Sequence, residues 1–174
     1  MAMNIGSGSG GPAGKCSNFP PSPFTIDGVW CASAEGFIQA IKHDNPEMQI
    51  EICKLVGRKA KFKGKKLNKK VRRTGKVFWQ GREIVFRSQE HMDLIERALR
   101  AKFTQNLSSR RALLATGNAT LTHNLGHKES PHTSLPKKEF VRMLHKIRDE
   151  LQELERENPT LSRRQRRRAR RKGR

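Results

Sequence analysis

The chain has 174 residues, of which 34% are apolar, and its formal net charge of +21 gives a pI near 11. No apolar run reaches the roughly 18 residues of a membrane span, and the three cysteines form no CxxC pair and follow no secretory signal. These features argue against a membrane anchor and a disulfide framework. We therefore expect a cytoplasmic domain with reduced thiols that attracts polyanions such as nucleic acid.

The two ends of the chain differ in composition from its middle. Residues 1–14 are dominated by Gly, Ser and Ala, which bury little apolar surface, so they predict a flexible leader. Residues 158–174 are mostly Arg and predict a disordered tail. Residues 15–157 remain, and their length fits one compact domain.

Apolar residues at helical offsets of three and four predict five helices. We expect these helices near residues 34–43, 47–56, 89–104, 109–116 and 137–156. Between the second and third of them, residues 76–87 surround Gly81 and predict a small hairpin. The predicted fold class is therefore α+β, a predominantly helical single domain with a small sheet.

Two segments concentrate positive charge. Residues 58–73 contain Lys and Arg but no acid, and they form either a solvated, mobile face or a contact for a diphosphate or a nucleic-acid backbone. The tail adds nine further cations. Because it has almost nothing apolar to bury, we expect it to bind nucleic acid by charge alone. The tail residues assigned to this contact are Arg163, Arg164, Arg166, Arg167, Arg168, Arg170 and Arg171.

The stretch of residues 17–43 is where we expect the chemistry. Glu35, Gln39 and Lys42 are spaced by four and three residues, so one helix directs a carboxylate, an amide and an ammonium toward the same space. The alternative is that Glu35 and Lys42 are solvated helix charges and that Trp30 belongs to the core. Surface charges at such spacing are common, and the pattern alone does not decide between the two.

Three histidines lie close together in the sequence, at His123, His127 and His132. Gly126 and Pro131 interrupt any helix that would align them, and no cysteine lies nearby, so we predict no metal site. Together with the hydroxyl groups of this loop, the imidazoles are candidates for lining a sugar pocket.

Three sequence blocks occur in one order along the chain. Residues 17–42 contain SNF, PF, DG, W and EGFIQAIK, residues 98–106 read ALRAKFTQN, and residues 112–117 read ALLATG. These blocks resemble the YbiA-like N-glycosidase superfamily, also called NADAR after NAD and ADP-ribose chemistry. The resemblance spans roughly residues 16–152.

The resemblance implies a YbiA-like fold and cleavage of an N-glycosidic bond without a cofactor. Glu35 matches the family's glutamate and is expected to be the catalytic carboxylate, while Lys42 is expected to contact phosphate or the leaving group. Trp79 either stacks on a base or fills the core. The substrate contacts that we expect are Asn18, Phe19, Asp27, Trp30, Gln39, Trp79 and His123.

The chain also departs from the family pattern. The late glycine-rich segment with a Trp-Gly pair and an aspartate is missing, and residues 123–129 stand in that region. Glu129 is either a substitute for the lost acid or a loop charge.

The resemblance implies two substrate classes, namely ADP-ribose on guanine and phosphorylated ribosylamino-pyrimidine intermediates of riboflavin synthesis. The positive charge favours the first, because modified guanine is carried on a polyanion. The alternative function is a catalytically silent binding module for ADP-ribose or nucleic acid, or a structural, packaging-type basic protein whose tail supplies the affinity.

Overall fold

A computed structural model describes residues 1–158, in which the chain forms eight helices and six short strands. The mainly helical α+β class predicted from the sequence is confirmed. The predicted nucleic-acid contacts of the tail lie outside the described residues. In chain order the elements are β1 (Ala2–Asn4), α1 (Gly11–Cys16), β2 (Phe24–Ile26), β3 (Val29–Cys31), α2 (Ala34–Ala40), α3 (Pro46–Cys53), α4 (Gly57–Lys65), α5 (Asn68–Thr74), β4 (Lys76–Trp79), β5 (Arg82–Val85), α6 (Gln89–Gln105), α7 (Leu107–Leu114), β6 (Thr120–Thr122) and α8 (Lys137–Glu157).

The strands pair in three separate two-stranded sheets within the described chain. The β2–β3 and β4–β5 pairs are antiparallel hairpins, and the second of them is the hairpin predicted around Gly81. Their turns, Asp27-Gly28 and Gln80-Gly81, have positive φ at both positions. Such turns match the right-handed twist of the flanking strands. The third sheet joins β1 to β6 in parallel.

The amino-terminal segment differs from the expected flexible leader. β1 pairs with β6, the Ile5 amide donates to the Thr122 carbonyl at 2.7 Å, and the Ile5 side chain is fully buried. Its backbone hydrogen bonds and one apolar side chain fix a segment whose Gly and Ser content indicated no structure. Composition missed this because the pairing partner lies more than 100 residues away in the sequence.

The core is built around α6, which contacts α2, α7 and α8. The buried face of α6 consists of Met92, Ile95, Leu99 and Phe103, as the helical offsets predicted. The apolar stripe of α8 is buried from Phe140 to Leu151, whereas Leu154 is 46% exposed because the last turn of α8 lies beyond the packed core.

Residues 57–74 fold into α4 and α5, two helices that hydrophobic periodicity did not predict. Their buried residues are only Ala60, Gly64 and Val71, so the packed side uses small side chains and leaves no apolar period to detect. Gly57 and Gly75, which bracket the pair, both have positive φ. The helix predicted near residues 47–56 ends at Cys53, and Gly57 begins α4.

The three cysteines are free and buried. Among residues 1–158, no helix combines the length and the apolar character required to cross a bilayer.

Candidate active site on helix α2

Helix α2 is enclosed on its polar side as well as on its apolar side. It begins after Ser33, whose Oγ accepts a hydrogen bond from the Gly36 amide at 3.0 Å. Three polar residues on this side are almost fully buried: Glu35 exposes only 8% of its surface, Gln39 7% and Lys42 6%. Lys42 follows the last turn of α2. The interpretation of Glu35 and Lys42 as solvated surface charges is therefore wrong.

Hydrogen bonds fix the three polar side chains. Gln39 Nε2 donates to Glu35 Oε1 at 2.8 Å, which orients the carboxylate along the helix. Lys42 Nζ donates to Asn68 Oδ1 on α5, also at 2.8 Å. Gln39 Oε1 is buried without a hydrogen-bond partner in the described chain. One acceptor beside the carboxylate is thus left for another donor.

Helix α4 covers this polar face through a contact that only glycine permits. A Cβ on Gly64 would stand 1.8 Å from Gln39 Oε1 and 2.7 Å from Gln39 Cβ. Gly36 allows a similar close approach to the chain that follows α3, where a Cβ would meet the Leu55 carbonyl oxygen at 2.6 Å. The site is therefore held between α3 and α4 at backbone distance.

Burial shifts the pKa values of both ionisable groups toward neutrality. It raises the pKa of Glu35 above 4.5, against the hydrogen bond from Gln39 and the charges of Lys42 and Lys61. It lowers the pKa of Lys42 from 10.5 to about 8, with Glu35 acting in the opposite direction. Burial thus favours the neutral form of both groups, and ionisable groups perturbed in this way are concentrated at functional sites.

The loop before β2 supports the carboxylate from the backbone side. The Glu35 amide donates to the Asn18 carbonyl at 2.9 Å, and Asn18 Oδ1 is buried without a partner among the described residues. Lys61 Nζ of α4 lies 5.6 Å from the centre of the Phe19 ring. Asn18, Phe19 and Gln39 are therefore brought to the same region as Glu35.

The sequence analysis did not identify Lys102, a residue of α6 that holds the loop before β2 by hydrogen bonds to its backbone. Its ammonium is fully buried and donates to the carbonyls of Cys16 at 3.3 Å and Ser17 at 2.6 Å, directly before Asn18. Burial lowers the pKa of Lys102 to about 8. The only available signal was its place within the ALRAKF block, since its neighbours in the helical pattern are apolar.

Asp27 and Trp79 come together at a different place. Trp79 Nε1 donates to Asp27 Oδ2 at 2.8 Å, and Arg97 forms a bidentate pair with the same carboxylate at 2.6 and 3.1 Å. This cluster lines a cleft of about 610 Å³. The Trp79 ring packs edge-on against Phe37, with 4.9 Å between the ring centres. Phe37 faces away from Glu35 on α2, so the helix separates the two places.

Trp30 and His123 take other positions. Trp30 lies opposite Thr25 in the β2–β3 hairpin and is 52% exposed, which corrects its interpretation as a core residue. The ring of His123 contacts Phe140 edge-on, and its Nδ1 lies 2.6 Å from the Ile5 carbonyl oxygen. Glu129 accepts a hydrogen bond from the Lys137 amide at 2.6 Å, at the first turn of α8.

No group of three or more His, Cys, Asp or Glu residues in the described part of the chain is arranged to hold a metal ion.

The fold that positions α2 is shared with a solved bacterial protein. The NMR structure of the E. coli protein YbiA superposes with a TM-score of 0.61 at 24% identity, covering 86% of this chain and 84% of that one. The protein is thus a single α+β domain of the YbiA type, as its sequence blocks predicted.

The family assignment follows from sequence matches over the same region. The family model for bacteriophage protein GP30.3 matches residues 10–149, and the chain belongs to that family. It is 32% identical over 141 residues to a 17.1 kDa protein of the Gp30-rIII intergenic region of Enterobacteria phage T4, covering 80% of this chain and 92% of the relative.

Proposed function

We propose that the protein is an N-glycosidase that hydrolyses the bond between a ribosyl group and a base, with Glu35 as its catalytic carboxylate. The observation that carries the proposal is the buried cluster of Glu35, Gln39 and Lys42 on α2. Charges on a solvated helix surface would not be buried and hydrogen-bonded in this way. Cleavage through an oxocarbenium-like ribose, in contrast, needs a carboxylate in an enclosed site. The YbiA-type fold supports the same chemistry.

The proposed step is a simple hydrolysis. The bond between the anomeric carbon and the base nitrogen breaks, and its electron pair leaves with the base. A water oxygen bonds to the anomeric carbon and gives its proton to Glu35, whose charge also stabilises the developing positive ribose. Lys42 either protonates the departing base or holds a substrate phosphate. Its pKa of about 8 makes both roles possible near neutral pH.

Neighbouring groups would hold the ribose. Asn18 Oδ1 and Gln39 Oε1 are buried acceptors without a hydrogen-bond partner among residues 1–158, so each can accept a hydrogen bond from a ribose hydroxyl. The ring of Phe19 offers an apolar surface beside them. We assign no part in the bond cleavage to the other predicted substrate contacts, because they lie elsewhere in the fold. These are the hydrogen-bonded pair Asp27 and Trp79, and also Trp30 and His123.

Substrate entry would require α4 to move, because Gly64 closes directly onto Gln39. The positive-φ glycines at both ends of the α4–α5 pair, Gly57 and Gly75, are positions where the backbone can change direction at low cost. The enclosed arrangement would then be the substrate-free state, and α4 would close again over the bound ribose to exclude water from the reacting bond.

Two substrates fit this proposal, namely ADP-ribose on guanine and a phosphorylated ribosylamino-pyrimidine. The test is to incubate the purified protein with ADP-ribosylated guanosine and, separately, with the riboflavin-pathway intermediate, and to measure the released base and sugar phosphate. Glu35→Gln keeps the hydrogen bond from Gln39 and removes the charge, so we expect turnover to fall by about two to four orders of magnitude. Release of neither product by the wild-type protein would favour the silent binding module, and unchanged turnover in the variant would remove Glu35 from the mechanism.

A further inference from the structure

The positive charge of the described chain is concentrated in one place. Residues 1–158 contain 28 of the 37 Lys and Arg residues and all 16 Asp and Glu residues, which leaves a net charge of +12. Residues 58–73, which form most of α4 and α5 and the link between them, carry ten cations and no acid and so supply +10 of that excess. The remainder of the described chain is nearly neutral. The basic character is therefore a property of one surface.

An aromatic side chain lies within this charge. Lys59, Phe62, Lys63 and Lys66 are spaced by three, one and three residues, which places them on one face of α4 and its C-terminal turn. All four are exposed, Phe62 by 62%. The buried residues Ala60 and Gly64 lie on a different side of the helix. We call Lys59, Phe62, Lys63 and Lys66 the outer face of α4.

We propose that the outer face of α4 binds a single strand of nucleic acid, with the lysines on phosphates and an unpaired base stacked on Phe62. Charge complementarity indicates a polyanion, since the three lysines form no ion pair with a carboxylate of residues 1–158. An exposed aromatic ring among cations is the arrangement by which single strands are held, because unpaired bases offer their faces for stacking. In a duplex those faces are already covered.

The position of this surface links it to the candidate active site. Gly64, on the inner side of the same helix, contacts Gln39, and the charge of Lys61 acts on both Glu35 and Lys42. Only the thickness of one helix, about 10 Å, therefore separates a bound strand from the carboxylate. The consequence, which rests on the proposed function, is that the enzyme acts on a ribosylated base carried by a strand.

Binding is tested with the full chain and a labelled oligothymidylate of about 12 nucleotides, by fluorescence anisotropy at several salt concentrations. The triple variant Lys59→Gln, Lys63→Gln, Lys66→Gln should lower the slope of log affinity against log salt by about 2, since each phosphate contact on a single strand contributes about 0.7. The matched control replaces three exposed lysines elsewhere by Gln. These are Lys128, Lys137 and Lys138. We expect the control to change the slope by less than half as much.

Phe62 is tested separately, because its effect is independent of salt. Phe62→Ala should weaken binding of the single strand about five-fold or more at every salt concentration, while Phe62→Trp keeps the affinity. Phe62→Leu, which retains an apolar side chain but no ring, should behave like Phe62→Ala. None of these changes should affect binding of the corresponding duplex. Thermal unfolding of each variant checks that it is folded.

Three results would overturn the proposal. If log affinity changed with log salt at the same slope in the two triple variants, the strand would bind to positive charge in general and not to the outer face of α4. Unchanged single-strand affinity in Phe62→Ala would exclude stacking. Binding of poly-glutamate as tight as that of the oligonucleotide, with the same response to the triple variant, would instead indicate an acidic protein partner. None of these measurements involves glycosidase turnover, so failure of the proposed function would leave their outcome unaffected.

Discussion

Gly64 of α4 lies against the side chain of Gln39 of α2 so closely that a Cβ at position 64 would stand 1.8 Å from Oε1. The closure of the candidate site thus depends on the absence of one methyl group. Gln39 in turn holds Glu35 by a hydrogen bond of 2.8 Å, so the contact bears directly on the carboxylate.

Gly64→Ala is expected to separate α4 from α2. In a helix interior the change by itself would add about 1 kcal/mol of stability, whereas the steric conflict costs about 1–3 kcal/mol. We therefore expect a lower free energy of unfolding in urea. Gly8→Ala is the control, because a Cβ there meets nothing within 4 Å. A Gly64→Ala protein that is about 1 kcal/mol more stable than the wild type would show that the contact does not form.

Glu35→Gln should change how stability depends on pH. Because burial raises the pKa of Glu35 in the folded state, the folded protein binds the proton more tightly than the unfolded chain. Stability from this group is therefore full below the ordinary value of 4.5 and is lost as the pH rises through the folded-state pKa. The free energy of unfolding of the variant minus that of the wild type should therefore be larger at pH 7 than at pH 4. Urea unfolding of both proteins at both pH values measures it. A pH-independent difference would contradict the shift.

Lys102→Met tests the buried ammonium. The pKa of Lys102 falls from 10.5 to about 8 on folding, so the folded state binds this proton less tightly than the unfolded chain. As the pH rises from about 8 to 10.5, the group should add stability at roughly one kcal/mol per pH unit. The variant should lack this increment. Lys138→Met, at an exposed position, is the control and should retain it. If the free energies of unfolding of wild type and Lys102→Met changed in parallel with pH, the ammonium of Lys102 would be solvated rather than buried.

Asp27→Asn removes the charge that Arg97 binds but keeps an acceptor for Trp79. The Arg97 hydrogen bonds hold the pKa of Asp27 below 3.8, so its contribution is present above that value and is lost as the pH falls through the folded-state pKa. We expect a loss of at most about 1 kcal/mol at pH 7, because Arg97 is half exposed. The difference should vanish in acid.

Replacement of all the cations in residues 163–174 by Gln should flatten the salt dependence of duplex binding. Each lost phosphate contact lowers the slope by about 0.9, and affinity should fall for all sequences alike. Turnover of a free mononucleotide should be unchanged, because Glu35 and its partners lie within the folded domain. A collapse of that turnover would assign the tail to the site.

Much of the fold was predictable from local pattern. The apolar stripe of α6 and the hairpin around Gly81 depend on residues a few positions apart, and the structure confirms them. The spacing of Glu35, Gln39 and Lys42 likewise placed them on one helix face. What the pattern left open was whether that face meets water or protein.

Contacts between distant parts of the chain decided the rest. Ile5 became ordered through β6, Asp27 formed an ion pair with Arg97, and Gly64 enclosed Gln39. None of these has a local signature, because each joins positions at least 25 residues apart. The sequence by itself determined the five predicted helices, the charge and the candidate carboxylate. Only the tertiary structure buried that carboxylate, since burial is a property of the neighbours that folding brings to it.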